Sequence, residues 1–201
     1  MTHQHRHKPY TMASRKTFNQ LLLMSCFVLL GQCGRIHNTE GGEDLVTATC
    51  KHTLHFQVCI SSLKSVPGSK TSNPKMLAYI ALNLSTTYAA KTLSYIYELK
   101  SSFAANGPNN NIYVSRCLSD CAEEYSEAIE NLQNSAQALL NGEYDKVDTL
   151  VSAAMSDAET CEDGFKDMLS EDNDSTFPLT EYNRYFSELC SNALAIRKLL
   201  V

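Results

Sequence analysis

The chain has 201 residues and a formal net charge of −5, and 43% of its residues are hydrophobic. This length and this apolar content suit one globular domain with a core of its own. The first 34 positions hold four basic and no acidic residues, which leaves 13 basic and 22 acidic side chains and a net charge of −9 for the remainder. An acidic surface argues against nucleic acid and anionic membranes as partners and suits a cationic protein, although solubility alone would also account for it.

Residues 1–34 have the pattern of an export signal. Arg15 and Lys16 precede the apolar run LLLMSCFVLLG, and small residues follow it. The run is shorter than the roughly 20 apolar residues that a membrane-spanning helix needs, so we expect a cleaved signal and a mature chain without a membrane segment. Met12 begins a conventional signal by itself and offers an alternative start.

Four long segments repeat their apolar residues every three or four positions, which is the spacing of amphipathic helices. Their apolar stripes begin with Leu77, Val114, Val147 and Phe186, and the turns between them include Asn141-Gly142. Short connections make consecutive helices antiparallel, so the sequence predicts an all-α, up-and-down four-helix bundle without a sheet. The stretch from residue 45 to residue 68 predicts a short α-helical hairpin ahead of the bundle.

Six cysteines remain after the signal, and an even number in an exported chain is read first as disulfides. The segment CKHTLHFQVC also offers a metal site through Cys50, His52, His55 and Cys59. Its spacing matches none of the usual two-plus-two zinc frameworks, and export favours oxidation of the thiols. A local disulfide between Cys50 and Cys59 is therefore the favoured interpretation.

The segment RCLSDCAEEY holds Cys117 and Cys121 one helical turn apart. A redox dithiol is disfavoured, because this spacing on one helix does not suit disulfide geometry and the redox motif has two intervening residues. If the second and third bundle helices fold back near residue 142, Cys121 and Cys161 differ by about 4.5 Å along the axis and Cys117 and Cys161 by about 10 Å. The antiparallel register therefore favours Cys121 over Cys117 as the partner of Cys161.

No catalytic motif accompanies these cysteines. The chain has no G-x-S-x-G, no H-E-x-x-H and no glycine-rich phosphate loop, so the sequence predicts neither a catalytic nor a metal site nor a cofactor. Between positions 117 and 174 there are 16 acidic residues and only two basic ones, a pattern that fits either a solvated face or a partner-facing surface. Asn83 and Asn173 begin glycosylation sequons.

Several segments together resemble the plant invertase and pectin methylesterase inhibitor family. They are the early Cys-x8-Cys with SSLKSVPGS, the C-x-x-x-Y that starts at Cys121, GEYDKVDTLVSAAMSDAETCEDGF, and FSELCSNALAIRKLL. The resemblance covers the mature chain and implies an inhibitor domain over residues 45–201, with a four-helix bundle preceded by an α-hairpin. It implies a secreted protein of the apoplast or cell wall, with the vacuole as an alternative, that has no catalytic activity and blocks the cleft of a carbohydrate-active enzyme.

Position by position, the resemblance implies disulfides Cys50–Cys59 and Cys121–Cys161. It also implies an unpaired Cys190, while Cys117 has no counterpart in the family pattern, and we expect both to be free thiols. Invertase inhibitors of this family carry Pro-Lys-Phe after the glycine of the turn between the second and third bundle helices, where this chain has Glu-Tyr-Asp after Gly142. The predicted target is therefore pectin methylesterase.

We expect a monomer that forms a 1:1 complex with this enzyme. The predicted contact surface is the polar face of the second and third bundle helices, with the candidate residues Glu124, Glu127, Glu130, Tyr144 and Lys146. Acid invertase is the alternative target, and a structural surface bundle without an enzyme target is the third hypothesis.

Overall fold

Six α-helices make up the described part of this computed structural model, which covers residues 43–105, 112–166 and 177–200. The helices are α1 (Leu45–Cys50), α2 (Phe56–Lys64), α3 (Pro74–Ala105), α4 (Ile112–Asn141), α5 (Tyr144–Lys166) and α6 (Thr180–Lys198). These ranges contain no strand, and the predicted all-α class is confirmed. The predicted signal, Met12 and Asn173 lie outside the described residues.

The four long helices form the predicted up-and-down bundle, in which α4 packs between α3 and α5, and α6 closes the ring against α3 and α5. The turn between α4 and α5 depends on Gly142, whose φ of 79° lies in the left-handed region that favours glycine. The Gly142 N–H donates to the Leu139 carbonyl and the Glu143 N–H donates to the Ala138 carbonyl at 2.9 Å, which satisfies the last carbonyls of α4. Within the described ranges, no helix is long and apolar enough to cross a bilayer.

The hairpin of α1 and α2 is fixed at its start, at its middle and to the bundle. Asp44 caps α1 by accepting the Thr47 N–H at 3.0 Å, and the Cys50–Cys59 disulfide joins the two short helices. Asn192 of α6 accepts the His55 N–H at 3.3 Å and donates to the His55 carbonyl at 3.1 Å. With both thiols in a disulfide, the alternative zinc site at Cys50, His52, His55 and Cys59 has lost its two sulfur ligands.

The core-facing side of α3 has small residues in its middle and the larger Leu77, Leu82 and Ile96 elsewhere. Ala81, Ser85 and Ala89 are buried, whereas Leu84 and Tyr88, which follow Leu77 at helical spacing, are only half-buried. Small side chains allow a close approach of neighbouring helices, and the Ser85 hydroxyl donates to the Ala81 carbonyl at 3.1 Å, so its burial leaves no donor unpaired. Leu77, the predicted start of the core stripe, is therefore in the core, whereas the predicted stripe is wrong in the middle of the helix, where Leu84 and Tyr88 line a groove near the hairpin.

Candidate functional site

A disulfide inside the bundle sets the register of α4 and α5. Cys121 and Cys161 are both buried and bonded to each other, with their Cα atoms 4.7 Å apart. This is the pair that the antiparallel register favoured and the family resemblance implied. Because side chains recur on a helix face every three or four positions, the register at this bond also determines which polar residues meet on the outer side of the two helices.

Three carboxylates meet on that outer side. Glu124 and Glu127 lie one turn apart on α4, Asp157 projects from α5, and oxygen atoms of all three lie within 4.8 Å of one another. We call these three residues the acidic cluster. Asn131 of α4 donates an amide hydrogen bond to Asp157 at 3.2 Å. Among the described residues no lysine or arginine forms an ion pair with the cluster.

The crowding changes the proton affinity of the cluster. Partial burial, followed by the charges of Asp157 and Glu127, raises the pKa of Glu124 above its ordinary value. Partial burial also raises the pKa of Asp157, against the opposing effect of the Asn131 hydrogen bond. A nearby cation stabilises the ionised form of such carboxylates. The cluster can therefore accept basic side chains of a partner or the hard cations that prefer oxygen ligands.

The structure separates the five predicted contact residues into two groups. Glu124 and Glu127 belong to the acidic cluster, and Glu130 is exposed about one turn further along α4. Tyr144 and Lys146 lie at the start of α5, where Tyr144 is half-buried and Lys146 forms an ion pair with Glu143 at 3.3 Å. With Cys121 level with Cys161, Lys146 of α5 is level with the α4 position nine residues after Glu127. Lys146 therefore lies about 14 Å from Glu127 along the helix axis.

Asp157 is not among the candidate contact residues predicted from the sequence, although the register of the two helices indicates its position. The fold-back arithmetic that placed Cys161 beside Cys121 also places Asp157 beside the Glu124–Glu127 turn of α4. A systematic comparison of charges across the predicted α4–α5 register would have identified the third member of the cluster. Asp157 had no distinctive neighbouring motif, and its role depends entirely on the opposing helix.

The two free thiols lie away from this outer face. Cys117 is buried and its thiol donates to the Gly164 carbonyl at 3.3 Å, and burial is the main cause that raises its pKa. Cys190 is fully buried in α6, where burial raises its pKa to about 12. Thiols that are protonated and shielded from solvent are poor nucleophiles, so neither cysteine suits redox chemistry.

The one described sequon asparagine lies on another helix. Asn83 is exposed on α3, where its side-chain amide donates to the Tyr79 carbonyl at 2.9 Å. Because α3 is diagonal to α5 in the ring of four helices, a glycan on Asn83 would project away from the α5 side of the acidic cluster. Glycosylation of Asn83 and Asn173 stays a prediction.

Comparisons with known proteins identify the scaffold that carries this cluster. The model of the plant invertase/pectin methylesterase inhibitor family matches residues 44–196. The chain belongs to this family. The chain is 26% identical over 191 residues to a pectinesterase inhibitor from Actinidia deliciosa, a similarity that covers 95% of this chain and 97% of the relative. It is 31% identical over 122 residues, 61% of this chain and 65% of the relative, to the cell wall / vacuolar inhibitor of fructosidase 2 from Arabidopsis thaliana.

The fold is also found in a solved structure. The crystal structure of a mutant form of a pectin methylesterase inhibitor from Arabidopsis matches with a TM-score of 0.59 at 24% identity, covering 78% of this chain and 97% of that chain. At this identity the match establishes the shared fold. Because the family consists of proteins named as inhibitors, the chain is an inhibitor protein and not an enzyme.

Proposed function

We propose that this protein is a secreted inhibitor of pectin methylesterase that blocks the enzyme's active-site cleft in a 1:1 complex. The observation that carries the proposal is the acidic cluster, which lies on the outer face of two helices joined by a disulfide. The proposed location is the cell wall, where the target enzyme would meet a secreted chain, and the vacuole is the alternative. The proposal makes the cluster the centre of the contact surface, with Glu130 beside it and Tyr144 and Lys146 at its far end.

Rigidity is the first property that supports this function. The α4–α5 pair is joined by the Cys121–Cys161 disulfide at one level and by the hydrogen-bonded turn at Gly142 at another. A surface that is ordered before binding loses little conformational entropy when the complex forms, so more of the contact energy contributes to affinity. An inhibitor that acts by covering a cleft needs this property more than it needs a reactive group.

Unpaired charge is the second supporting property. The carboxylates of Glu124, Glu127 and Asp157 repel one another, so a basic side chain from a partner relieves repulsion as well as forming new charge-assisted hydrogen bonds. Complementary charge at an interface also accelerates association and makes it sensitive to salt. The proposed partner surface is therefore a lysine- or arginine-bearing rim of the enzyme cleft.

The turn between α4 and α5 supports pectin methylesterase over acid invertase as the target. Glu143, Tyr144 and Asp145 occupy the three positions where Pro-Lys-Phe is expected in the invertase-inhibiting branch, and Glu143 is held by Asn141 and Lys146. The second candidate function is inhibition of acid invertase, which the similarity to an inhibitor of fructosidase favours.

The test compares inhibition of both enzymes by the purified protein. We expect stoichiometric inhibition of pectin methylesterase and little effect on acid invertase, with one inhibitor molecule per enzyme in size-exclusion chromatography coupled to light scattering. Selective inhibition of acid invertase would transfer the function to the second candidate. If both enzymes stayed fully active and formed no complex, both inhibitor functions would be refuted. The remaining hypothesis would be a structural bundle without an enzyme target.

A charge reversal tests the acidic cluster itself. Glu127→Lys should weaken inhibition at least tenfold by opposing the proposed basic partner surface. The new lysine would face Glu124 and Asp157 within this protein, so the substitution removes repulsion and should not unfold the bundle. Glu98 is exposed on α3, and Glu98→Lys makes the same charge change away from the cluster. This control should leave inhibition within about twofold of the original. Equal inhibition by both variants would exclude the acidic cluster from the interface.

A further inference from the structure

A groove with both polar and apolar walls lies between the hairpin and the bundle, on the side built by α2, α3 and α6, and Leu84 and Leu189 form its apolar part. Its volume is about 290 Å³, and its polar lining includes Ser61 and Ser62 of α2, Ser65 directly after α2, Tyr88 and Lys91 of α3, and Tyr185 of α6. We call it the tyrosine groove. The acidic cluster belongs to α4 and α5, so the two surfaces are formed by different helices.

Tyrosine rings form one wall of the groove. Tyr88 and Tyr185 have ring centroids 4.8 Å apart, and Tyr88 also stacks on Tyr182 at 6.4 Å. Tyr95 continues the row through its contact with Tyr182 at 4.7 Å. These rings are half-buried, so their packing holds them in place while part of each ring stays accessible. Tyr88 and Tyr185 are the two of these rings that line the groove, and a fixed, partly accessible ring is a surface on which a ring-shaped ligand can stack.

Serine hydroxyls form the opposite wall. Ser61, Ser62 and Ser65 each donate to a carbonyl of α2, at 3.2, 3.2 and 2.6 Å. A hydroxyl that donates to its own helix keeps acceptor capacity on its oxygen. This wall therefore presents acceptors to a ligand that carries hydroxyl donors.

Lys91 supplies the positive charge of the groove. Its side chain is exposed, and among the described residues no carboxylate lies within ion-pairing distance of it. Arg184, a neighbouring cation on α6, is held by Glu181 at 2.6 Å and by Glu188 at 2.5 Å. Lys91 is thus the lining residue that can bind a ligand anion without first leaving another partner.

We propose that the tyrosine groove binds a short sugar chain that carries carboxylates. The weakly positive C–H face of a sugar ring matches the electron-rich face of Tyr88 or Tyr185, the sugar hydroxyls match the serine oxygens, and a carboxylate matches Lys91. A purely apolar ligand would leave the serine wall and the ammonium group without partners. A neutral sugar would use the tyrosine and serine walls but not Lys91.

The groove continues in a direction that suits a chain of more than one sugar. A second cavity of about 450 Å³ shares Leu84 and Thr87 with the tyrosine groove and extends along α3 past Asn83, Tyr79 and Met76, so a ligand can use this extension only when Asn83 carries no glycan. Sites for small ligands usually have volumes of about 300 to 1,000 Å³. The two adjoining cavities therefore provide the length for a ligand of two or three rings.

The test is a titration of the purified protein with trigalacturonate at low salt, with neutral maltotriose as the matched ligand. Binding would be followed by chemical-shift changes in two-dimensional NMR spectra of the labelled protein. We expect saturable changes at residues of α2, α3 and α6 that line the groove, and at least tenfold weaker binding of maltotriose. Lys91→Gln should reduce trigalacturonate affinity at least tenfold and abolish the preference over maltotriose.

Lys198→Gln is the control variant, because it removes the same charge from an exposed position near the end of α6. It should bind trigalacturonate within about twofold of the original, as expected for an exposed charge outside the site. The proposal would be overturned by no binding at millimolar ligand, by shifts confined to α4 and α5, by equal affinity for the neutral sugar, or by unchanged affinity in Lys91→Gln. Enzyme inhibition is not part of this readout, so its failure and a failure of the inhibitor proposal are separate results.

Discussion

The inner and outer faces of the α4–α5 pair hold their polar groups in opposite states. On the inner side, the Tyr125 hydroxyl donates to Asn183 at 2.7 Å, and the Asn183 amide donates to Glu162 at 2.7 Å. On the outer side, Glu124 and Asp157 crowd together with raised pKa values. The hydrogen-bonded groups inside the bundle stabilise the folded state. The like charges on the outer side lower its stability, and a cationic partner would relieve their repulsion. The inner polar groups of the two helices thus stabilise the fold, and the outer ones form the surface that we propose for binding.

The largest effect should come from the inner side. Tyr125→Ala should lower the free energy of unfolding by about 5 kcal/mol, because it removes a fully buried ring and leaves Asn183 without its hydroxyl donor. Guanidinium unfolding followed by circular dichroism measures the change. Tyr113→Ala, at a position 63% exposed on the same helix, should change stability by less than about 0.5 kcal/mol. Similar losses in both variants would contradict the inner-face assignment.

The disulfide inside the pair should have the next largest effect. Replacing Cys121 and Cys161 together by alanine should lower stability by about 3 kcal/mol, because the unfolded chain regains the freedom that a 40-residue loop had lost. Thermal and denaturant unfolding measure this loss. The matched control replaces Cys50 and Cys59, which close a loop of only nine residues, and should cost less. A greater loss in the control would show that the hairpin bond dominates.

Glu162 on the inner face and Glu124 on the outer face are both half-buried, so their substitutions compare the two faces directly. Glu162 accepts hydrogen bonds from Asn183 and from Thr180 at 2.8 Å. Glu162→Ala should lower stability by about 2 kcal/mol, since it leaves the buried Asn183 amide without an acceptor. Denaturant unfolding is again the measurement. Glu159→Ala, exposed on the same helix, should be nearly neutral, and an equally neutral Glu162→Ala would remove the distinction between the two faces.

Glu124, on the outer side, should give the smallest effect and the opposite sign. Glu124→Gln should raise stability at pH 7 by about 0.5 kcal/mol, because it removes a charge that is disfavoured first by partial burial and then by its acidic neighbours. The pKa of Glu124 is raised above 4.5 in the folded protein, so the folded state binds a proton more readily than the unfolded chain. The energetic penalty on the charged Glu124, from burial and repulsion together, is therefore present above the folded pKa and disappears as the pH falls below 4.5.

Unfolding measured at pH 7 and near pH 3 checks this sign. The gain in Glu124→Gln should be present at the higher pH and absent at the lower one. Glu98 is exposed on α3, so Glu98→Gln serves as the control and should show no such pH dependence. A Glu124→Gln protein that is less stable than the original at pH 7 would indicate that the outer carboxylates are paired after all.

Much of the helical framework could be predicted from local pattern. Periodicity located the four long helices, and Asn141-Gly142 marked the end of α4, because a glycine there can adopt the positive φ that stops a helix. The cysteine register also placed Cys121 beside Cys161, since antiparallel helices with a short turn leave little freedom along the axis. These are properties of neighbouring residues and short connections.

The orientation of α3 could not be predicted in the same way. Helical spacing continues the stripe of Leu77 through Leu84 and Tyr88, and the structure buries Leu77, but in the middle of the helix it buries Ala81, Ser85 and Ala89 instead. Periodicity shows which residues share a face but not which neighbour covers it. The hairpin supplies a second and less complete cover for α3, and the larger side chains face that cover and its grooves.

By itself, the sequence determined the helical class, the antiparallel order and the abundance of acids on α4 and α5, because these depend on local propensity, turn residues and composition. Only the tertiary structure decided that Asp157 joins Glu124 and Glu127, and that Tyr88, Lys91 and Ser62 line one groove. Residues distant in the chain meet only when packing sets the rotation and height of each helix. That packing depends on the summed contacts of the whole bundle, which no single segment contains.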